Sequence, residues 1–441
     1  MVIKGKPVRK ILVGMLGLGL VLPSLFGSTS FAAEPKTVVY WSMFNKGEPL
    51  QVVVQEMITK FESANPDIKI EANWVGRDVL TKVQAAIQAG TPVDIVDQSN
   101  DRLITSLVNN KLSVDLTKYL AQPAYGKTTG TWAGDFVKGA IKSHSNSSGT
   151  YMIPRETYIS GIWYNSNMIA KSGIKISSTG TTWDQFTKNL ATIAKKNPGV
   201  SPLGADGSVD FYNNWWFSYL ALRNAGLKAW QDAANDPTGA KWNDPAFLKA
   251  ANQVRQLQDA GYFQKNFQGS VYPAMQMQWA NSKVAMLLMG AWLPKEAGPT
   301  LPSGFKMDVF AFPTVPGGKG NDLVEYWSNA WSVVNIGKQT DSAVKFLKFT
   351  TSLPNGGSMM TKAGFPVPLT GAVLPPEYKG QAEILAKYTT IEQRGGMQGM
   401  ATYSSDVYNL CDDPFFLMKT TPKEFIKCLV TQNKKYWAAN K

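Results

Sequence analysis

The sequence predicts an α/β protein built from two to three domain-sized units, on the strength of three observations. The chain has 441 residues, which is too long for one compact hydrophobic core. Strand and helix patterns alternate over residues 36–96, as in a parallel sheet covered by helices. A stretch near residue 155 joins two strand-like runs across a polar break, which is one way for a chain to pass between two units.

The alternation begins with the buried-type strand KTVVYWS and continues with an amphipathic segment whose apolar residues, Val54, Met57, Ile58 and Phe61, repeat at helical spacing. An alternating strand follows, and Gly90 and Pro92 end a second amphipathic helix. The predicted elements are a strand at 36–42, a helix at 51–65, a strand at 68–75, a helix at 80–89 and a strand beginning at 94.

Residues 149–169 contain two runs rich in aromatic and β-branched residues, 151–153 and 158–164. The polar break at 154–157 lies between them. Pro154 cannot donate a ladder hydrogen bond and holds the preceding residue extended, so we expect the chain to pass straight through. Composition alone leaves two interpretations open, a crossing between two units or an ordinary buried strand with a bulge.

The amino terminus has the pattern of a secretory signal peptide. The basic residues Lys4, Lys6, Arg9 and Lys10 precede an apolar run at 11–22, and Ser30-Phe31-Ala32 fits a cleavage site. Residues 1–32 are therefore predicted to be removed, with an uncleaved anchor as the alternative. No later segment approaches the roughly 20 apolar residues that span a bilayer, and no cysteine follows the apolar run as a lipid site. We expect an exported, periplasmic protein.

The net charge limits which binding partners are expected, and the cysteine content indicates one possible disulfide. Removing the signal peptide lowers the formal net charge from +13 to +9, and the remaining lysines are scattered, so no nucleic-acid partner is expected. Cys411 and Cys428 are the two cysteines. In an oxidising compartment they are expected to form a disulfide, worth roughly 3 kcal/mol for a loop of this length. Two free buried thiols are the alternative.

The sequence offers little enzyme chemistry. His144 is the single histidine and lies in a loop rich in Ser, Asn and Gly, which indicates a surface histidine rather than a catalytic or metal-binding one. A glycosidase needs two carboxylates, but no spacing singles out a pair among the acidic residues. We therefore predict a protein that is not an enzyme and has no cofactor.

Several motifs resemble the bacterial extracellular solute-binding proteins of ABC importers, in particular the carbohydrate-binding, maltose-binding-protein-like branch. They are KVQAAIQAGTPVDIVD, YMIPRETYISGIWYNSNMIAKSGI and, most specifically, WANSKVAMLLMGAWLPKEAG at 279–298. Pro92 stands two residues before Asp94 where the family has Pro-Asp, and Asn281-Ser282 replaces a common glycine. The resemblance covers nearly the whole mature chain and thins from about Gly371.

The resemblance implies the type II periplasmic-binding-protein fold, an α/β architecture in which two lobes, each a central sheet flanked by helices, enclose a ligand cleft. Lobe 1 is then expected at 33–155 and 313–352, and lobe 2 at 156–312 and 353–441. Hinges are expected near Arg155, Pro313 and Ser352. The implied partners are a carbohydrate ligand and the permease subunits of an ABC transporter, with the protein itself a monomer.

Sugar binding requires aromatic rings that stack on pyranose faces, and amide, carboxylate or guanidinium groups that bind hydroxyls. The resemblance places the sugar-contacting positions at Asn45, Asp101, Arg102 and Tyr158, and at Trp292 of the GAW motif. Core burial remains open for Trp41 and Trp292, as does a solvated Arg102 beside a helix-capping Asp101. One of Trp215 and Trp216 should face the ligand, with Trp216 slightly favoured. The remaining candidates are Trp327, Asn329 and, in the carboxyl-terminal tail, Asp406.

These expectations combine into one function, the non-catalytic capture of a mono- or oligosaccharide for an ABC importer. A binder of a non-sugar solute such as glycerol phosphate or a polyamine is the alternative, and a secreted carbohydrate-active enzyme is a further one. The sequence does not specify the sugar.

Overall fold

The computed structural model describes residues 34–137, 139–208, 210–400 and 402–440. The predicted signal peptide and its cleavage site lie outside these residues. Within the described ranges, every helix is too short or too polar to cross a lipid bilayer.

The secondary structure consists of strands and α-helices interleaved along the chain, with short 3₁₀ and π turns between them. The strands are β1 (Lys36–Ser42), β2 (Ile68–Trp74), β3 (Ile95–Ser99), β4 (Ser145–Asn146), β5 (Gly149–Thr150), β6 (Ile153–Asn165), β7 (Ser201–Gly204), β8 (Val284–Gly290), β9 (Met307–Phe310), β10 (Leu323–Val333) and β11 (Thr389–Ile391). The helices are α1 (Pro49–Ala64), α2 (Val79–Gln88), α3 (Asn100–Leu103), α4 (Thr117–Leu120), α5 (Ser166–Lys171), α6 (Trp183–Lys196), α7 (Asp210–Asn213), α8 (Trp215–Ala225), α9 (Leu227–Ala234), α10 (Pro245–Asp259), α11 (Ala274–Ala280), α12 (Leu293–Ala297), α13 (Thr340–Thr350), α14 (Leu353–Ser358), α15 (Lys379–Lys387), α16 (Leu410–Phe416) and α17 (Pro422–Ala439).

The larger sheet is continuous and mixed, with the strand order β2-β1-β3-β10-β6-β8-β7. The pairs β1–β2, β1–β3 and β7–β8 are parallel, as the strand–helix alternation predicts. The central pairs β3–β10, β10–β6 and β6–β8 are antiparallel. The expectation of parallel sheets is therefore correct at both ends of the strand order and wrong at its centre.

Two hydrophobic cores pack against this sheet. The first core draws its buried residues from 38–153 and 330–369, and includes Phe61, Trp132 and Trp331. The second core draws on 158–327 and 378–436, and includes Trp163 and Trp242. Strands β6 and β10 contribute residues to both cores, so the chain passes between them along the sheet itself.

Local sequence signals account for several element boundaries. The Thr182 hydroxyl caps α6 by accepting a hydrogen bond from the Gln185 amide at 3.2 Å. Asn165 caps α5 in the same way through the Met168 amide at 3.1 Å. In the amino-terminal strand–helix alternation, the predicted bounds agree with the structure to within about two residues.

The stretch around Pro154 differs from the prediction. Residues 153–165 form one continuous 13-residue strand, every residue of which is buried, rather than two strands and a break. Its pairing with β10 is irregular, because Pro154 lies opposite Ala330 and Glu156 lies opposite Asn329. Arg155 is thus the extra residue of a β-bulge. The structure therefore shows a buried strand with a bulge, whose two parts contribute to different hydrophobic cores. A crossing between two lobes stays a prediction.

The carboxyl-terminal tail packs on the second core through α16 and α17. The predicted disulfide is present between Cys411 and Cys428, whose Cα atoms are 5.7 Å apart. It joins the start of α16 to the middle of α17. Helix α17 begins with a capping box in which Thr421 and Glu424 bond each other's backbone amides.

Candidate functional site

A cleft of about 350 Å³ opens between the two cores, next to the strands that connect them. Its size falls in the range typical of small-molecule sites. One wall comes from the loop after β1, the start of α1 and the loop between β2 and α2, and the other comes from the segment after β8 and from α12. The lining residues are Met43, Phe44, Glu48, Pro49, Arg77, Tyr158, Trp292, Lys295, Glu296, Trp327, Asn329 and Phe365.

Aromatic rings dominate one side of this cleft. Trp292 is at the centre, with its ring centroid 5.6 Å from Tyr158, 5.5 Å from Trp327 and 6.1 Å from Trp215. Tyr212 stacks on Trp292 at 6.0 Å and on Trp215 at 5.9 Å. We call the rings of Tyr158, Tyr212, Trp215, Trp292 and Trp327 the aromatic cluster. Packed rings of this kind present rigid apolar faces at low conformational cost.

Trp292 depends on a glycine for its position. A Cβ atom added at Gly290 would lie 2.1 Å from the Trp292 ring, far inside van der Waals contact. The ring therefore folds back over the end of β8 only because residue 290 has no side chain. The GAW motif thus encodes the close approach of the ring to the backbone as well as the ring itself.

Trp215 is held in place by a hydrogen bond to a buried carboxylate. Its indole Nε1 donates to Glu325 Oε2 at 2.7 Å, and the Arg394 amide donates to Glu325 Oε1 at 2.9 Å. Burial raises the pKa of Glu325 to about 7, although the charge of Arg394 and these hydrogen bonds act in the opposite direction. Glu325 therefore links the aromatic cluster to the segment around Arg394.

The charges of the acidic and basic side chains that line the cleft balance each other. On the first-core wall, Arg77 and Glu48 form an ion pair at 2.7 Å. Burial raises the pKa of Glu48, but hydrogen bonds from Arg77 and the Asn45 amide outweigh that effect and lower it overall. On the opposite wall, Gln276 donates to Glu296 at 2.7 Å. Lys295 lies on the same wall, so the lining residues carry two acidic and two basic side chains.

A buried charged group lies beneath the cleft at the bulge of β6. The Arg155 guanidinium contacts Asp97 Oδ2 at 2.9 Å and Glu156 Oε1 at 3.0 Å. Glu156 Oε1 also accepts hydrogen bonds from Tyr158 at 3.1 Å and from the Asn329 amide at 2.6 Å. Because Tyr158 and Asn329 line the cleft, this group fixes two of its side chains.

The structure brings together many of the residues singled out from the sequence. Tyr158, Trp292, Trp327 and Asn329 line the cleft directly. Trp215 lies in the aromatic cluster, whereas Trp216 packs on Phe263 and Phe312 in the second core. Neither Trp215 nor Trp216 is among the residues that line the cleft, so the expectation that one of them faces the ligand stays a prediction. Trp163 of β6 is fully buried in the second core.

Other predicted residues are not among those that line the cleft. Trp41 is half-buried against the first core, Asn45 is exposed and bonds Glu48, and Arg102 is exposed on α3. Asp101 lines a separate small cavity that it shares with Trp327. Asp406 is exposed and bonds the hydroxyls of its neighbours in the tail, including Ser405 at 3.0 Å.

His144 corrects a sequence-based interpretation. It is buried rather than on the surface, with Nδ1 2.7 Å from the Ala140 carbonyl and Nε2 bonded to Ser328. Burial lowers its pKa to about 4.

Sequence reasoning missed several side chains of the site, among them Phe44, Arg77, Tyr212 and Phe365. Phe44 lies in the loop after β1 that the sequence already marked, and Tyr212 lies in the aromatic segment before α8. Arg77 and Phe365 had no local signal, because they reach the cleft only through tertiary packing. Among the described residues, no group of three or more His, Cys, Asp or Glu side chains is arranged to hold a metal ion.

Comparison with known proteins adds to this geometry. The model of the family described as bacterial extracellular solute-binding protein matches residues 45–355. The multiple sugar-binding protein of Streptococcus mutans serotype c is 24% identical over 372 residues, which is 82% of each chain.

Solved structures also resemble the chain. One, from work on xylan utilization by Caldanaerobius polysaccharolyticus, has a TM-score of 0.74 at 22% identity, with 90% of this chain and 99% of that chain covered. A structure of RafE in complex with raffinose has a TM-score of 0.71 at 21% identity, with the same coverage. At these identities the structures establish a shared fold, that of solute-binding proteins.

Proposed function

Because the chain belongs to the family of bacterial extracellular solute-binding proteins, we propose that its cleft captures a neutral mono- or oligosaccharide. The protein holds the sugar reversibly, without catalysis, and delivers it to the permease of an ABC importer. The observation that carries this proposal is the aromatic cluster, three of whose rings, Tyr158, Trp292 and Trp327, line the cleft beside hydrogen-bonding side chains. Apolar ring faces with a few polar groups beside them suit the alternating C–H and hydroxyl surfaces of a sugar.

The charge balance of the cleft supports a neutral ligand. Arg77 is paired with Glu48, Lys295 lies 3.8 Å from Glu377, and Glu296 accepts from Gln276. A glycerol phosphate would need a surplus of cationic donors, and a polyamine would need a surplus of carboxylates. The lining residues provide neither surplus.

The names of similar proteins also favour a carbohydrate as the ligand. The curated relative is named for binding multiple sugars, and one of the similar structures holds raffinose. Export to the periplasm, delivery to permease subunits and a monomeric state are parts of the proposal that follow from the family.

A ligand panel tests the proposal on the mature protein. Thermal unfolding is followed with neutral mono- and oligosaccharides, including cellobiose, maltose, lactose and raffinose, and with glycerol 3-phosphate and spermidine. A bound sugar at about 100 times its Kd should stabilise the fold by about 2.7 kcal/mol and raise Tm. A rise in Tm with glycerol 3-phosphate or spermidine but with no sugar would contradict the proposal. Turnover of a chromogenic glycoside would contradict its non-catalytic part.

A further inference from the structure

Two oppositely charged side chains face each other across the main cleft. Arg77 lies in the loop between β2 and α2, on the first-core wall, and Glu296 lies on α12, on the second-core wall. Both residues line the cleft and both are exposed. The ion pair that Arg77 forms, at 2.7 Å, is with Glu48 and not with Glu296. The two groups therefore flank an open space that a ligand can enter.

The charge of Arg77 acts on the opposite wall. Displacement of water by neighbouring protein atoms raises the pKa of Glu296, whereas hydrogen bonds from Gln276 and Tyr272 and the charge of Arg77 oppose that rise. The pKa of Tyr272 is raised to about 12 by burial and by Glu296, and the charge of Arg77 opposes this rise as well. The guanidinium therefore lies near enough to Glu296 for one ligand to contact both groups.

The guanidinium of Arg77 has one hydrogen-bonding edge that the protein does not occupy. Its Nη1 and Nη2 atoms donate to the two carboxylate oxygens of Glu48 at 3.2 and 2.7 Å, and Nη1 also donates to the Met43 carbonyl. These bonds leave Nε–H and the second Nη2–H, which form the other edge of the planar group. Neither hydrogen has an acceptor among the residues that the structure describes. Two parallel N–H groups on one edge bind a pair of neighbouring oxygen atoms.

Glu296 offers the complementary acceptor. Its Oε2 atom accepts from Gln276 at 2.7 Å, and the Tyr272 hydroxyl is a second neutral donor to the carboxylate. An ionised carboxylate has about four lone-pair sites, so Glu296 can accept hydrogen bonds from a ligand as well. Gln276 is itself buried in α11, which holds the carboxylate in one orientation.

A hydroxyl group is the ligand group that satisfies both walls. Its oxygen accepts from an N–H of Arg77, and its O–H donates to the carboxylate of Glu296. An anionic group would be repelled by Glu296, and an ammonium group would be repelled by Arg77. An ether oxygen lacks the proton that Glu296 needs. Two hydroxyls on adjacent carbon atoms present a pair of neighbouring oxygens to the unoccupied edge of Arg77.

We propose that Arg77 and Glu296 are specificity-determining residues that bind the same two adjacent hydroxyls of a sugar ring in the cleft. Nε–H and Nη2–H of Arg77 donate to the two oxygens, and Glu296 accepts hydrogen bonds from both hydroxyls. The shared hydroxyls thereby connect the two walls. This inference rests on the proposed function and narrows its ligand to a sugar with an unsubstituted pair of adjacent hydroxyls, in preference to the deoxy or O-methyl analogue.

The test uses the tightest-binding sugar of the ligand panel and its monodeoxy analogues at each hydroxyl in turn. Isothermal titration calorimetry measures Kd for the wild type, Arg77→Met and Glu296→Gln. The matched controls are Lys82→Met, at an exposed cation of α2, and Glu71→Gln, at an exposed carboxylate of β2. The ratio of the deoxy Kd to the parent Kd is compared within each variant. The two variants are independent, so either one tests the inference if the other does not fold.

In the wild type, removal of either of two adjacent hydroxyls should weaken binding about tenfold or more, the usual effect of losing a hydrogen bond to a charged group. Arg77→Met and Glu296→Gln should each lower that ratio by at least about threefold at the same two positions, because the charged partner is gone. Both controls should leave the ratio unchanged. Each variant should still bind the parent sugar within about 100-fold of the wild-type affinity, since the aromatic cluster is intact.

Several results would overturn the inference while sugar binding stands. In the first, no adjacent pair of hydroxyls is sensitive to removal in the wild type. In the second, the variants weaken every analogue equally and leave the ratios intact, as expected if Arg77 and Glu296 instead pair directly with each other when the cleft closes. In the third, the two variants affect different hydroxyls, or a folded variant binds no sugar at all. If no sugar binds the wild type, the proposed function itself fails, which is a separate outcome.

Discussion

At the scale of single residues, Trp292 is the ring on which the cleft depends most. Its ring contacts those of Tyr158, Trp215 and Trp327, and it lines the cleft. We expect Trp292→Ala to weaken sugar binding by about tenfold or more, because a stacked aromatic anchor contributes more than 1 kcal/mol. Isothermal titration calorimetry measures the affinity, and circular dichroism checks that the variant is folded.

Trp437→Ala is the matched control for this substitution. Trp437 is a partly buried tryptophan of α17 whose Nε1 donates to the Ala234 carbonyl at 2.8 Å. Its removal should cost stability and leave sugar affinity unchanged. Equal losses of affinity in both variants would show that Trp292 acts through the fold and not through the ligand.

Glu325 gives a pH-dependent prediction at the same scale. Burial raises its pKa from the ordinary value of 4.5 to about 7 in the folded protein. Between these two values the folded state binds a proton that the unfolded state has lost, so this group lowers stability as pH rises and its full penalty is present above about pH 7. The expected loss is on the order of a few kcal/mol.

His144 has the opposite effect in an overlapping range. Burial lowers its pKa from 6.5 to about 4, so stability that depends on neutral His144 is present above pH 6.5 and is lost as pH falls toward 4. The pH dependences of stability that come from Glu325 and from His144 have opposite signs, so they partly cancel in the wild type. The informative quantity is therefore the difference between the wild type and a Glu325 variant.

We expect Glu325→Gln to gain stability relative to the wild type as pH rises from 5 to 7.5. Urea denaturation at several pH values measures the difference, and Glu71→Gln at an exposed position serves as control. A difference that stays constant across this pH range for Glu325→Gln would show that the carboxyl does not titrate there.

At the scale of secondary-structure elements, strand β6 is stabilised by the buried group at its bulge. Removal of Arg155 would leave the carboxylates of Asp97 and Glu156 buried and without their cation. We expect Arg155→Met to lower the free energy of unfolding by about 3–5 kcal/mol, the usual cost of breaking a buried ion pair. Urea denaturation measures this loss.

A second substitution separates charge from packing in this prediction. Asp97→Asn in the Arg155→Met background removes one of the two stranded charges, so it should recover part of the stability. If the double variant is less stable than the wild type by the sum of the losses measured for Arg155→Met and Asp97→Asn alone, the Asp97 carboxylate is not coupled to Arg155.

Helices α16 and α17 are held together by the disulfide. Cys411 and Cys428 are 17 residues apart. In the chain-entropy treatment a loop of this length contributes about 3 kcal/mol. A Cys411→Ser, Cys428→Ser double variant should lose about that amount, and dithiothreitol should destabilise the wild type but not the double variant. Equal sensitivity of both proteins to dithiothreitol would contradict this prediction.

At the scale of the whole molecule, the cleft lies between two cores that are connected along β6, along β10 and through 370–377. Ligand that contacts both walls favours the closed arrangement of such a molecule. We expect the radius of gyration, measured by small-angle X-ray scattering, to decrease when a panel sugar that raises Tm is added. The non-binding sugars of the panel are the control, and an unchanged radius with bound sugar would exclude closure.

The lobe boundaries and hinges expected from the sequence stay predictions. In the structure, core membership changes between Ile153 and Tyr158, between Trp327 and Ala330, and between Leu369 and Tyr378. Hinge motion itself is a property that the scattering experiment addresses.

The sequence by itself determined the α/β fold class, the strand–helix alternation of residues 36–96 and the disulfide. These features depend on local composition, periodicity and spacing, which a single chain displays directly. Tyr158 and Trp292 were singled out by the resemblance to solute-binding proteins and not by periodicity, and both line the cleft together with Trp327.

Only the tertiary structure decided the rest. It merged two predicted runs into the bulged strand β6, because the cost of burying Arg155 is offset by Asp97, which is 58 residues away in the chain. It buried His144 against Ser328 and placed Trp215 rather than Trp216 in the aromatic cluster. These outcomes depend on partners distant in sequence, and sequence periodicity carries no information about which distant residues will meet.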